Sequence, residues 1–167
     1  MTNAAKATSQ PAPLAIRMAE LADIEPLVCL INAAFRVELP FIDGDRIDSE
    51  GVRSYMAKGK FLVAEDSAGL AGCVYVELRG DCGYLGLLGV DPPRQGTGLG
   101  RKLMDAAENY FRGAACIAIE LRIVSARAPL PTFYRHLGYL ETGIAPFAPD
   151  VPVKVRCHYI LMSKSIR

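Results

Sequence analysis

Between Gln95 and Lys102 the chain reads QGTGLGRK, with glycine at positions 96, 98 and 100 and two bases directly behind them. Glycine admits left-handed backbone and the close approach of a bulky group, because it has no Cβ to collide with either. Glycines alternating at the start of an amphipathic run can aim several free helix amides at an anion, with the positive end of the helix dipole behind them. Two phosphate loops do not fit. A Walker loop needs Lys and then Ser or Thr after its last glycine, whereas Gly100 is followed by Arg101, Lys102 and Leu103. A dinucleotide fingerprint needs Gly or Ala at position 101 and a βαβ unit around it, yet the preceding strands read as a meander. What remains is Gln95-x-x-Gly98-x-Gly100, set between VDPP and a helix. It is a pyrophosphate cradle or a plain glycine-rich turn.

The elements that would hold this loop follow from periodicity. LAIRMAE (14–20) reads as a strand, and the run behind it carries Ile24, Leu27, Val28, Ile31 and Phe35 at helical spacing, with Asp23 as its cap and Pro26 in its first turn. VELPFIDGDRIDSEG is acidic and turn-rich, and GVRSYMAKG is a short helix ended by Gly59. KFLVAED, GLAGCVYVELRG and CGYLGLLGV are three strands of an antiparallel meander, divided by SAG and GDCG. The helix after the glycines puts Leu99, Leu103, Ala106, Ala107 and Tyr110 on one stripe, with Glu108 among the residues off it and Gly113 as its stop. CIAIELRIVS alternates as a strand with one buried face, PLPTFYRHLGY is a short helix, and VRCHYILMSK contains a last strand.

Composition sets outer bounds. With 51% apolar and 22% charged residues over 167 positions, the chain suits one domain with a real core, residues 14–167, behind a disordered N-terminal tail, residues 1–13. A net charge of +1 gives no electrostatic basis for nucleic acid or a membrane surface as partner, and no apolar run is long and charge-free enough to span a bilayer. Five scattered cysteines lack disulfide or zinc spacing and predict a cytoplasmic setting; His136 and His158 are isolated, so no metal is expected.

With Val90, Asp91, Pro92, Gln95, Gly98 and Gly100 in this order, the chain resembles the GNAT superfamily of acyl-CoA-dependent N-acyltransferases. IRMAELAD (16–23) is similar to that family's opening strand and helix start, and FYRHLGYLETG (133–143) to its second conserved segment. The resemblance implies an α/β (α+β) fold: a mixed, mostly antiparallel sheet flanked by helices, with a splayed strand pair holding acyl-CoA. It implies an N-acetyltransferase moving an acetyl group directly from acetyl-CoA to a primary amine of a small molecule or peptide. A non-catalytic CoA-binding regulatory module is the alternative. A homodimer is compatible with it.

The family's site residues fall here on Leu87, Leu88, Gly89 and Val90 for the pantetheine arm and on Gln95, Gly96, Thr97, Gly98, Leu99, Gly100 and Arg101 for the phosphates. An amide near Leu88 or Gly89 would face the oxyanion. Tyr134 matches the phenol that protonates the departing thiolate. Arg127 stands where many members carry Asn, so it is read either as a phosphate ligand or as half of an ion pair. Among the carboxylates available as general base, Glu77 ranks first, ahead of Glu120, Glu38, Asp43 and Asp45. The acidic loop from Glu38 to Glu50 holds one base, Arg46, and predicts polyamine-like or basic peptide acceptors.

Overall fold

Three strands joined by glycine turns, at Gly69 (φ +116°) and Gly80 (φ +65°), form the middle of the sheet: β2 (Lys60–Asp66), β3 (Gly69–Arg79) and β4 (Cys82–Val90). The computed structural model describes residues 13–167, so all of the expected tail except Pro13 lies outside the described residues. β1 (Ala15–Met18) adds to the β2 edge, and β5 (Ala118–Val124), β7 (Tyr159–Ser165) and β6 (Leu140–Ala145) continue the sheet in the order β1-β2-β3-β4-β5-β7-β6. Every neighbouring pair is antiparallel except β4 and β5. The fold is the mixed, mostly antiparallel α/β architecture expected.

Side-chain alternation divides the core in two. On one face α1 (Ile24–Phe35) and α2 (Ser49–Lys58) cover Phe61, Val63, Cys73 and Tyr75; on the other α3 (Leu99–Gly113) and α4 (Pro129–His136) cover Leu62, Val74, Leu85, Ile119 and Leu121. Gly83 is where α3 lies against β4: a Cβ there would meet the Phe111 ring at 2.4 Å.

Two local expectations, on Asp23 and Glu108, are corrected, and the helix ends expected at Gly59 and Gly113 hold without a left-handed glycine at either. Asp23 does not cap α1. Its carboxylate accepts from Arg17 at 2.7 and 2.9 Å and from the Glu20 amide at 2.7 Å, so it closes the short turn before the helix. Gly59 is extended, and glycine is needed there because a Cβ would stand 2.4 Å from the Val76 carbonyl oxygen. Gly113 is the last residue of α3, while the left-handed turn that reverses the chain falls on Ala115 (φ +59°). Glu108, expected off the apolar stripe of α3, is buried: Lys164 of β7 donates to it at 2.8 and 2.9 Å, Tyr139 at 3.3 Å and Arg112 at 3.3 Å. That cluster fixes α3, and with it the glycine loop, against the sheet. β6 went unforeseen in the sequence because it is an edge strand, exposed at all but its last residue, and shows no buried alternation.

Candidate functional site

The parallel pair β4 and β5 separates halfway along. Their register runs from Cys82↔Ala118 to Leu85↔Leu121 and then stops, while β4 stays paired with β3 up to Val90 and β5 with β7 up to Val124. Each strand is held on its outer side only, so the peptide groups facing the gap lack a strand partner. The local cause is a bulge: Tyr75 opposes Gly86 and Cys73 opposes Gly89, leaving Val74 opposite both Leu87 and Leu88. Leu87 adopts φ +47°, a left-handed conformation costing a leucine about 1–2 kcal/mol. Burial of its side chain under α1, with 7% exposure, offsets that strain. The bulge also shifts the alternation by one, so that Leu87 joins the α1 core while Leu88 and Val90 face the α3 core.

The gap opens into a cavity of about 630 Å³ lined by Tyr84–Val90 of β4, Leu121–Val124 of β5 and the loop from Arg94 into α3. Val90 leads into a 3₁₀ turn at Pro92–Arg94, and Gln95 Nε2 donates back to the Val90 carbonyl at 3.1 Å. Thr97 Oγ1 donates to the Arg94 carbonyl at 2.7 Å, tightening the loop. Gly96 (φ +78°) and Gly98 (φ +84°) need glycine for conformation, and a Cβ on either would have no protein atom within 4 Å. The space over them is open to a ligand. Gly98 precedes α3 with no side-chain cap, so the first-turn amides of Leu99, Gly100 and Arg101 are left for an anion. Arg101 lines the cavity, whereas Arg94 is engaged by Asp66. This donor set fits a pyrophosphate.

Tyr134, near the end of α4, lines the same cavity. It is 6% exposed, its ring packed edge-on against Phe133 (5.0 Å) and Tyr139 (5.9 Å). Burial pushes its pKa well above the usual tyrosine value, against a smaller lowering by Arg127, and no hydrogen bond among the described residues engages its hydroxyl. The phenol is neutral across the working range and free to donate into the cavity.

The expected carboxylates part company. Glu77 does not line the cavity: it pairs with Arg79 (2.8 Å) and accepts from the Tyr75 hydroxyl (2.9 Å), and Arg79 holds its pKa below the usual range. Glu120 is exposed on β5 and also lies off the lining. Glu38, ranked lower, lines the cavity just after α1, is 5% exposed, and sits 3.7 Å from the guanidinium of Arg127. Burial raises its pKa, against lowering by Arg46 and Arg127. The sequence signal was a lone acid inside the apolar stretch FRVELPF. Arg127 is therefore engaged with Glu38. Asp43 and Asp45 instead border an adjoining depression of about 320 Å³ that shares Phe35, Glu38 and Arg46 with the main cavity; Asp43 pairs with Lys154 at 3.4 Å.

Fold and cleft together define a mixed-sheet protein in which a splayed parallel pair opens onto a helix-N-terminal cradle. The chain belongs to the GNAT acetyltransferase family: residues 57–141, just over half its length, match the acetyltransferase (GNAT) domain. It is similar to a mycothiol acetyltransferase of Propionibacterium freudenreichii subsp. shermanii, with 32% identity over 141 residues, 76% of this chain and 44% of that one. The chain thus spans less than half the length of that relative. Among solved structures, the ribosomal-protein-S18-alanine N-acetyltransferase of Escherichia coli superposes with a TM-score of 0.70 at 19% identity, covering 92% of this chain and 94% of its own. A Salmonella typhimurium protein solved with its cofactor acetyl-CoA gives 0.72 at 21%, with the same coverage. No helix among the described residues is long and apolar enough to cross a membrane.

Proposed function

We propose that the protein transfers an acetyl group from acetyl-CoA directly to an amine. The observation that carries this reading is the continuity of one cavity from the uncapped start of α3, through the β4–β5 gap, to Tyr134 and Glu38. Acetyl-CoA supplies the activated thioester. The amides from Gly96 to Arg101, backed by the α3 dipole, bind its pyrophosphate, with the Arg101 side chain beside them. The pantetheine arm takes the place of the missing strand, against the gap-facing peptide groups of β4 beyond the bulge, and the amide at Leu88 or Gly89 stabilises the oxyanion.

Glu38 is the carboxylate placed to accept the ammonium proton, in preference to Glu77, and its raised pKa brings it nearer to that task. The amine nitrogen then attacks the thioester carbon; as the carbon–sulfur bond breaks, Tyr134 gives its proton to the leaving sulfur, and the second proton shed by the nitrogen restores the phenol through solvent. A free phenol at about 10 is a weaker acid than a thiol at about 8.5, so the transfer depends on charge collecting on sulfur inside a dry cleft. None of the five cysteines forms a disulfide, which supports a reducing, cytoplasmic setting.

The test is acetyl-CoA binding by calorimetry together with thiol release across an amine panel. Binding with turnover supports the enzyme; binding without turnover of any amine leaves the non-catalytic CoA-binding module.

A further inference from the structure

The charges at the far end of the cavity do not match a simple cationic amine. Leu88, Val90, Phe133 and Tyr134 pack with the α3 core, whereas Phe35, Tyr84 and Leu87 pack with the α1 core, so the cavity passes through the sheet from one face to the other. The anion cradle lies at the α3 side. On the α1 side the charged lining is Glu38, Arg46, Arg122 and Arg127, three guanidiniums to one carboxylate. Arg122 is directed there by alternation, since Leu121 and Ile123 fill the opposite core. Arg46 lies over the Phe35 ring (5.4 Å) and Arg122 over the Tyr159 ring (4.4 Å), and among the described residues neither has a carboxylate partner. The ring contacts orient each guanidinium while leaving N–H groups available to an anion, with the Tyr84 hydroxyl beside Arg122.

On the acyl-transfer reading above, we infer that the acceptor is a free α-amino acid, with its ammonium at Glu38 and its carboxylate among Arg46, Arg122 and Arg127. An α-amino acid carries both charges on one carbon, which suits an acid–guanidinium pair only 3.7 Å apart at Glu38 and Arg127. A carboxylate takes two parallel N–H donors from an arginine, a contact that a plain amine does not offer. A polyamine would instead meet three like charges. The sequence expectation of basic acceptors counted only the loop's own residues; Arg122 and Arg127 arrive from β5 and the turn after it.

The experiment measures acetyl-CoA binding by calorimetry and thiol release with L-amino acids, their amides and their decarboxylated amines, in the wild type and in Arg46→Gln and Arg122→Gln. The free amino acid should exceed its amide in kcat/KM by about 10- to 100-fold, the worth of one hydrogen bond to a charged group. In either variant that ratio should shrink, chiefly through KM. Turnover confined to amides, decarboxylated amines or polyamines, an unchanged ratio in both variants, or acetyl-CoA binding with no amino acid turned over, each removes the inference and leaves CoA binding standing. Absence of acetyl-CoA binding removes the acyl-transfer reading itself, and the inference with it.

Discussion

Glu38 and Arg127 meet across the mouth of the cleft, carboxylate oxygen to guanidinium nitrogen at 3.7 Å, joining the segment that follows α1 to the turn between β5 and α4. The pair lines the α1 side of the cavity that the β4 bulge opens. It also keeps a charged carboxylate in a place that burial disfavours, since desolvation remains the largest influence on Glu38 despite two nearby guanidiniums.

Glu38→Gln should therefore separate activity from stability. A carboxyl whose pKa is raised by folding costs stability once pH exceeds its ordinary value near 4.5, because the unfolded chain ionises it more readily. The variant should melt higher than the wild type at neutral pH, with the gain fading as pH falls toward 4.5. Its kcat/KM for amines should drop by about 10²- to 10⁴-fold, the usual worth of general base catalysis. A lower melting temperature at pH 7, read by calorimetry, would show the ion pair to outweigh desolvation.

Tyr134→Phe removes one hydroxyl from a packed ring and no hydrogen bond among the described residues, so the fold should tolerate it. We expect kcat to fall about ten- to ten-thousandfold, with acetyl-CoA affinity retained. Single-turnover rates are the proper readout, because slow product release would mask a change in the chemical step.

How much of this was readable in the sequence depends on how local the cause is. The β2–β4 meander and the α3 stripe follow from period-2 and period-3.6 patterns, and glycines at 86 and 89, which weaken a plain strand, flank the bulge. The residue that bends β4 is Leu87, which nothing in its type marks as left-handed. Burial of Glu38 and Glu108 rests on partners far along the chain, Arg127 and Lys164, and no window around either acid reveals them. Glu77 is the opposite case: Arg79 lies two residues on, hence on the same strand face, and that spacing marked a paired carboxylate.

The cradle glycines should respond differently from one another. Gly98→Ala places a Cβ on a left-handed residue and should lose about 1–2 kcal/mol of stability. Gly100 has no positive φ, and a Cβ there would find only Phe133 and Val90 at 3.9 Å, so Gly100→Val should fold normally. Both should raise the KM for acetyl-CoA, because each puts a side chain where the phosphates approach the amides. A Gly100→Val enzyme with unchanged KM would take that position out of the cradle.

The buried cluster beneath α3 offers a prediction about support at a distance. Lys164→Met leaves the Glu108 carboxylate, 8% exposed, with only Arg112 and the Tyr139 hydroxyl. Losing one partner of a buried pair costs about 3–5 kcal/mol when nothing else compensates, and since Arg112 remains we expect about 2–3. Replacing both ends, Glu108→Leu with Lys164→Met, removes the uncompensated charge and should recover most of that loss, a coupling that a double-mutant cycle in urea measures directly. The single variant should also weaken acetyl-CoA binding, since the cluster ties α3, whose first turn supplies the anion-binding amides, to β7. If the double variant is no more stable than Lys164→Met alone, the cost lies in the lost contact of the lysine ammonium with the Tyr139 ring, and the ion pair has no part in holding the helix.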